Sequence, residues 1–115
     1  MSWGEVELEP EVRDWYPALA DDDRARARFH IDRLGELGVA LDEPHTRQLA
    51  GKLRELRFYL NSRPTRITYW IAPGRRIILL TVFTKTQRRE RAEIQRAQEA
   101  LDQCQAEAHT VTEEE

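Results

Sequence analysis

The chain has 115 residues, 40% of them hydrophobic, and a formal net charge of −3, which suits one small globular domain with one core. No run of about 18 apolar residues is present, which excludes a membrane-spanning helix, and the acidic N-terminus lacks the apolar stretch of a secretory signal. The single cysteine, Cys104, cannot form an internal disulfide, so a cytoplasmic location is expected.

The N-terminal part predicts a short strand followed by two helices. Val6 and Leu8 alternate with glutamates, as in a strand with one solvent-facing side. Pro10 suits the first turn of a helix, in which apolar residues recur from Val12 onward. The three aspartates at 21–23 indicate the start of a second helix, because carboxylates accept free backbone amides and favour the positive end of the dipole. Its predicted buried stripe is Ala27, Ile31, Leu34 and Leu37.

The middle of the chain predicts a connection followed by three strands. Residues 38–51 show little apolar periodicity and are expected to form the connection. Alternating strands centred on Phe58 and Tyr69 are joined as a hairpin by the link NSRP. Pro73 and Gly74 suit a type II turn, since proline fixes φ and glycine accepts positive φ. The next segment, IILLTVF, is apolar on both faces and predicts a central strand covered on both sides.

The C-terminal part predicts a third helix and a tail. The helical period returns from about Glu90, and its apolar stripe ends at Cys104. We therefore expect a single domain over residues 1–104 and a disordered acidic tail over 105–115. The predicted order is strand, helix, helix, strand, strand, strand, helix. This is an α+β fold with a small, mainly antiparallel sheet, and we expect the helices on one face of that sheet.

Charge is distributed unevenly along the chain. Residues 1–50 hold 6 Lys/Arg and 12 Asp/Glu, residues 51–96 hold 12 and 3, and residues 97–115 hold no Lys/Arg and 6 acidic residues. A segment as basic as 51–96 is typical of a surface that binds a polyanion. The alternative is that its cations pair with acidic groups of the same molecule, as the helical spacing of Glu93 and Arg96 allows.

Strand alternation gathers several of these cations on one surface. Arg57 and Arg66 are expected side by side on the sheet face away from the helices, together with Tyr59. Because like charges repel, such crowding favours a site that binds an anion, and we predict a phosphate-binding surface. The cations expected to extend it are Lys52, Arg54, Lys85, Arg88, Arg89 and Arg91.

An ordered set of motifs over residues 53–97 resembles the RelE/ParE superfamily of bacterial toxins. The motifs are LRELRF, RITYW and an apolar strand that ends in FTKTQRRERAEIQRA. They are most similar to the phage-derived HigB-like branch, whereas residues 1–50 match only in length and element order. The resemblance implies the RelE-like fold, in the element order β-α-α-β-β-β-α.

The same resemblance implies a function. It is that of a cytoplasmic toxin of a type II toxin–antitoxin pair, which cleaves mRNA within the translating ribosome without a metal or other cofactor and is neutralised by a cognate helix-turn-helix antitoxin. The catalytic residues that it implies are Arg57, Arg66, Lys85 and Arg89. The remaining residues of the basic surface are predicted to bind RNA, and these are Lys52, Arg54, Tyr59, Arg88 and Arg91. Gln95 stands where RelE has an assisting tyrosine.

The residues support only part of this chemistry. Arginines stabilise a phosphorane well, but they are poor proton acceptors. The histidines at 30, 45 and 109 are expected outside the basic surface, which leaves Lys85 and Glu93 as weak candidates for proton transfer. We therefore expect a poor nuclease in isolation, whose substrate is positioned by a partner. The sequence shows neither a metal-ligand cluster nor a glycine-rich phosphate loop.

Two other functions remain open. One is a non-catalytic phage-derived module that binds nucleic acid or an acidic protein, which would explain the basic segment without a proton acceptor. The other is gyrase inhibition, as in the ParE branch, and by resemblance the stretch from Lys85 to Arg91 argues against it.

Overall fold

The structure is a computed structural model that describes residues 2–86 and 90–114. Over these residues the backbone forms five strands and three α-helices. They are β1 (Glu5–Leu8), α1 (Pro10–Trp15), α2 (Asp21–Leu37), β2 (Thr46–Ala50), β3 (Leu53–Leu60), β4 (Arg63–Ala72), β5 (Arg76–Thr84) and α3 (Glu90–Glu114). None of the helices in this described part is long and apolar enough to span a membrane.

The strands form one sheet in the order β1-β5-β4-β3-β2, in which only the β1–β5 pair is parallel among the described strands. The predicted α+β fold with a mainly antiparallel sheet is confirmed. The turn between β3 and β4 is Asn61–Ser62, and both residues have positive φ, 51° and 69°, as the twist of a two-residue hairpin requires. Gly74 has a φ of 83° in the turn before β5, as expected for a type II turn.

The expectation that all helices lie on one face is wrong. α1 and α2 bury Val12 and Leu34 against the face that carries Leu56 and Ile67. α3 packs on the opposite face, where Leu101 belongs to a second core. The physical reason is that the inner strands carry apolar side chains on both of their faces. The residues of the second core are Leu53, Trp70, Ala72, Ile78, Leu80, Ala97, Leu101 and Cys104. A strand such as β5 needs cover on both sides, and one layer of helices cannot supply it.

The expectation of a plain connection over residues 38–51 is also wrong, because the segment contains β2. This strand lies at the edge of the sheet, where Thr46 is buried and most other side chains are exposed. Its place depends on backbone pairing with β3, so it lacks the alternating apolar pattern by which strands are recognised in sequence.

The third helix continues as far as Glu114, into the segment 105–115 for which the sequence predicts a disordered tail. The domain boundary at residue 104 stays a prediction.

Helix α3 and the short strand β2 leave part of one sheet face and one strand edge uncovered. α3 covers one half of its sheet face, and β2 begins opposite Leu56, so the C-terminal end of β3 has an open edge.

Candidate phosphate-binding site

Arg57 and Arg66 are directly opposite each other in the β3–β4 register. Both occupy the face away from α1 and α2, beyond the half that α3 covers. The Cβ atoms of directly opposed residues lie about 5 Å apart, and like charges in such positions repel. The predicted side-by-side arrangement is therefore present, and it requires a compensating negative charge.

Glu55 supplies that charge. It precedes Arg57 by two residues on β3, shares its face, and is only 1% exposed. Its Oε2 lies 3.7 Å from Nε of Arg57 and 3.8 Å from Nε of Arg66, which is too long for hydrogen bonds. Oε1 of Glu55 and Nε of Arg57 have no hydrogen-bond partner among the residues that the structure describes. The two arginines thus share one carboxylate through ionic contacts. Nε of Arg57 is left without a hydrogen-bond partner in the described part of the chain, whereas Nη1 of Arg66 donates to the Thr65 carbonyl over 3.2 Å.

Burial changes the pKa values of two groups of this cluster, Glu55 and Arg66. It raises the pKa of the Glu55 carboxyl, which Arg66 and Arg57 act to lower and Glu90 acts to raise further. It also lowers the pKa of the Arg66 guanidinium, which Glu55 acts to raise. Two guanidinium groups and one carboxylate leave a single positive charge, which matches the single negative charge of a phosphodiester.

The two arginines line a pocket of about 440 Å³ at the open edge of β3. The Arg57 backbone N–H donates to the carbonyl of His45 over 2.8 Å, which extends the β2–β3 ladder by one residue before the edge opens. Helix α2 and the loop before β2 form the opposite wall. The other residues that line the pocket are Arg26, His30, Pro44, His45, Phe58 and Tyr59.

The expectation that His30 and His45 lie outside the basic surface is wrong, because both line this pocket. The His30 ring stacks on Phe58 with centroids 4.7 Å apart and an interplanar angle of 15°. Burial, followed by the charges of Arg33, His45 and Arg26, lowers the pKa of His30, so the imidazole is neutral at pH 7. No local sequence pattern signals this position, since α2 reaches β3 only through tertiary packing.

Tyr59 and Lys85 lie one row further along the same sheet face. Tyr59 opposes Pro64 in the β3–β4 register, and Lys85 donates its backbone N–H to the Pro64 carbonyl over 2.8 Å. The Tyr59 side chain is 61% exposed, which leaves its ring face open to stack on a base. The structure thus brings Tyr59 into the arginine pocket. Lys85 lies just beyond the end of β5, across β4 from Tyr59, and is not among the residues that line the pocket.

Arg54 lies on the other sheet face, two residues before Leu56. Its Nη2 donates to the Thr46 hydroxyl over 3.0 Å and its Nε to the Tyr69 hydroxyl over 3.3 Å. Arg54 therefore links β2 to β3 through these hydrogen bonds and lies away from the arginine pocket.

The other predicted cations are more dispersed. Lys52 is exposed in the turn between β2 and β3, at the end of β3 remote from the pocket. Arg91, near the start of α3, lines a separate cleft with Arg47 and Glu90. Arg88 and Arg89 lie outside the described residues. No group of three or more His, Cys, Asp or Glu side chains that could hold a metal ion occurs within residues 2–86 and 90–114.

Comparison with known proteins gives both a fold and a family. The structure of E. coli toxin RelE, a mutant with two arginine-to-alanine substitutions in the free state, matches with a TM-score of 0.58 and 16% sequence identity, and the match covers 90% of this chain and 98% of that one. No curated protein matches the chain. The model of a family described as "Phage derived protein Gp49-like" matches residues 14–102. The predicted RelE-like fold is thus confirmed, and the chain belongs to the Gp49-like family of phage-derived proteins.

Proposed function

We propose that the chain is the toxin of a type II toxin–antitoxin pair and that it cleaves mRNA in the translating ribosome. The observation that carries this proposal is the pair Arg57 and Arg66, opposed across two strands in a pocket on a RelE-like fold. The HigB-like motifs of the sequence support the same reading. The protein would act in the cytoplasm, where ribosomes and mRNA are found.

The site favours phosphodiester chemistry over simple anion storage. Cleavage by the 2′-hydroxyl passes through a phosphorane, whose extra negative charge must be stabilised. Guanidinium groups donate paired hydrogen bonds to phosphate oxygens and remain charged when buried. Fixed donors of this kind lower the barrier because they need no reorganisation as the charge develops, and losing one costs about 10²–10³ in rate. Arg57 and Arg66 would stabilise the phosphorane, and Lys85 would extend the positive field.

The ribosome and an antitoxin are the proposed partners. An mRNA held in the ribosome is already positioned, and orientation contributes several kcal/mol to such reactions. A cognate antitoxin, a helix-turn-helix protein encoded beside the toxin, would neutralise it. An acidic segment of that protein would complement the net positive pocket.

The proposal is tested by mapping mRNA 5′ ends in a translating extract supplied with the purified protein. We expect new ends within translated reading frames, and their loss when initiation is blocked or the start codon is removed. Cleavage that persists without translation would contradict ribosome dependence. A complete lack of new ends in both conditions would overturn the nuclease itself.

One observation favours a second candidate, a non-catalytic module that binds nucleic acid. Arg57 and Arg66 already share an internal carboxylate, Glu55, so their charge is partly balanced without a substrate. Such a module would retain RNA in the same extract and give no new ends, which separates it from the toxin.

A further inference from the structure

We propose that His45 accepts the proton of the 2′-hydroxyl in the nucleotide whose phosphate is bound by Arg57 and Arg66. The inference rests on the proposed nuclease function. It supplies the proton acceptor that the two arginines do not provide. Neither arginine is suited to remove a proton, whereas an imidazole is the side chain most often used for this purpose near neutral pH.

The register of the sheet places His45 beside the arginines. Thr46 opposes Leu56, and the Arg57 N–H donates to the His45 carbonyl over 2.8 Å, so His45 directly opposes Arg57. His45, Arg57 and Arg66 therefore form one row across the sheet, with neighbouring Cβ atoms about 5 Å apart. All three line the same pocket.

The loop that carries His45 is held firmly. The His45 N–H donates to the Asp42 carbonyl over 3.0 Å, and the buried Thr46 hydroxyl donates to the Leu41 carbonyl over 2.6 Å. Together with the bond from Arg57, these contacts fix the backbone on both sides of the imidazole. A proton acceptor needs such positioning, because its efficiency depends on the geometry of the approach.

The imidazole of His45 is also available. The residue is half-buried at the pocket, and no side-chain hydrogen bond or ion pair engages it within the described ranges. A histidine with a purely structural role normally has a partner for its ring nitrogens. The other imidazole of the pocket, His30, is stacked on Phe58, so we assign it to the wall of the pocket.

The proposed step balances as follows. The 2′-oxygen forms a bond to phosphorus as its proton passes to a ring nitrogen of His45, and the bond from phosphorus to the 5′-oxygen breaks. The departing 5′-oxygen takes a proton from water, and His45 later returns its proton to the solvent. The products are a 2′,3′-cyclic phosphate and a free 5′-hydroxyl, with no net uptake of protons.

The test uses stalled ribosome–mRNA complexes and excess protein, so that a single cleavage event is timed. For His45→Ala we expect a rate about 10²–10⁴ times lower than wild type, with ribosome binding unchanged and partial recovery on addition of free imidazole. His109→Ala removes an imidazole that is remote in sequence and should keep the wild-type rate. Circular dichroism melting verifies that each variant is folded.

Each result has a defined meaning. Cleavage by His45→Ala within about threefold of wild type, a change smaller than a lost proton acceptor allows, would overturn the assignment while leaving the nuclease intact. A large loss in the folded variant that imidazole does not restore would assign His45 a structural role and would also overturn it. No cleavage by the wild-type protein would instead overturn the proposed function together with this inference.

Discussion

At the residue scale, the properties of the pocket depend on Glu55. A buried carboxylate is costly unless positive groups surround it, and here two guanidinium groups do so from neighbouring strands. Burial nevertheless dominates, because the pKa of Glu55 is raised rather than lowered. The carboxylate thus holds two arginines together and carries an electrostatic cost of its own.

The raised pKa of Glu55 leads to a prediction for the pH dependence of stability in the Glu55→Gln variant. The ordinary pKa of a glutamate carboxyl is 4.5, and the pKa of Glu55 in the folded protein is higher. As pH rises through the interval between these two pKa values, the free energy of unfolding of the wild type falls, because the carboxyl ionises less readily in the folded state than in the unfolded state. Glutamine does not ionise, so the free energy of unfolding of the variant should improve relative to wild type as pH rises through that window. Denaturant titrations between about pH 4 and pH 8 measure the difference.

Glu36→Gln is the matched control, since it removes an exposed carboxylate from α2 and reports the effect of net charge alone. Should wild type instead gain stability over Glu55→Gln as pH rises, the arginines would outweigh burial and the described balance of the cluster would be wrong.

The sequence predicted the arginines of the site better than their neighbours. Strand alternation alone was enough to put Arg57 and Arg66 side by side, because the period of two is a local property. Glu55 lies on the same face by the same rule, and its position two residues before Arg57 was the available signal. His45 and Phe58 meet in the pocket through the packing of a loop and a strand, for which the sequence contains no local pattern.

At the scale of elements, α3 and α1 lie on opposite sheet faces and are nonetheless connected through the edge of β5. Glu11 of α1 accepts the Val82 backbone N–H over 2.8 Å and forms an ion pair with Arg96 of α3. Arg96 also pairs with Glu93 over 2.8 Å. The alternative that basic residues pair within the molecule therefore holds for Arg96, which belongs to the framework of the fold.

Glu11→Ala should destabilise the protein by about 1 kcal/mol. The variant leaves the Val82 N–H without its acceptor and Arg96 without one of its two carboxylates, and the partial exposure of the pair keeps the effect near the low end for charged hydrogen bonds. Denaturant titration measures the loss.

Asp32→Ala serves as the comparison, because it removes an exposed ion pair to Arg28 at 3.4 Å that should contribute about 0.5 kcal/mol or less. Equal stability of Glu11→Ala and wild type would exclude Glu11 as a connection between the two helical layers.

The elements with strong local patterns were also the ones that the sequence predicted. Helix α2 begins at Asp21 as expected, but its N-cap residue is Ala20 and makes no side-chain capping hydrogen bond, so the aspartates lie in the first turn instead. Strand β5 is covered on both sides. The sequence did not predict edge strand β2, because most of its side chains are exposed and show no alternating apolar pattern. The face occupied by α3 escaped prediction because an apolar stripe shows that a helix packs, without showing on which side of a sheet.

At the scale of the whole molecule, the uneven charge of the sequence is partly resolved by folding. Arg76 of the basic segment pairs with Glu7 of the acidic one over 2.6 Å, and Arg63 pairs with Asp23 over 3.6 Å. Arg57 and Arg66 have a single buried carboxylate between them. This cluster therefore keeps a net positive charge at the open edge of β3, which would attract a nucleic-acid backbone under the proposed function.

The most direct test compares mRNA 5′ ends in a translating extract supplied with wild type, with the Arg57→Ala/Arg66→Ala double variant, and with an Arg13→Ala/Arg28→Ala control. The control loses two exposed cations with 64% and 73% of their side-chain surface accessible, and so matches the change in net charge. We expect wild type and the control to produce the same new ends, and the folded Arg57/Arg66 variant to produce at least about 10³ times fewer. Undiminished cleavage by that folded variant would contradict a nuclease site built on these two arginines.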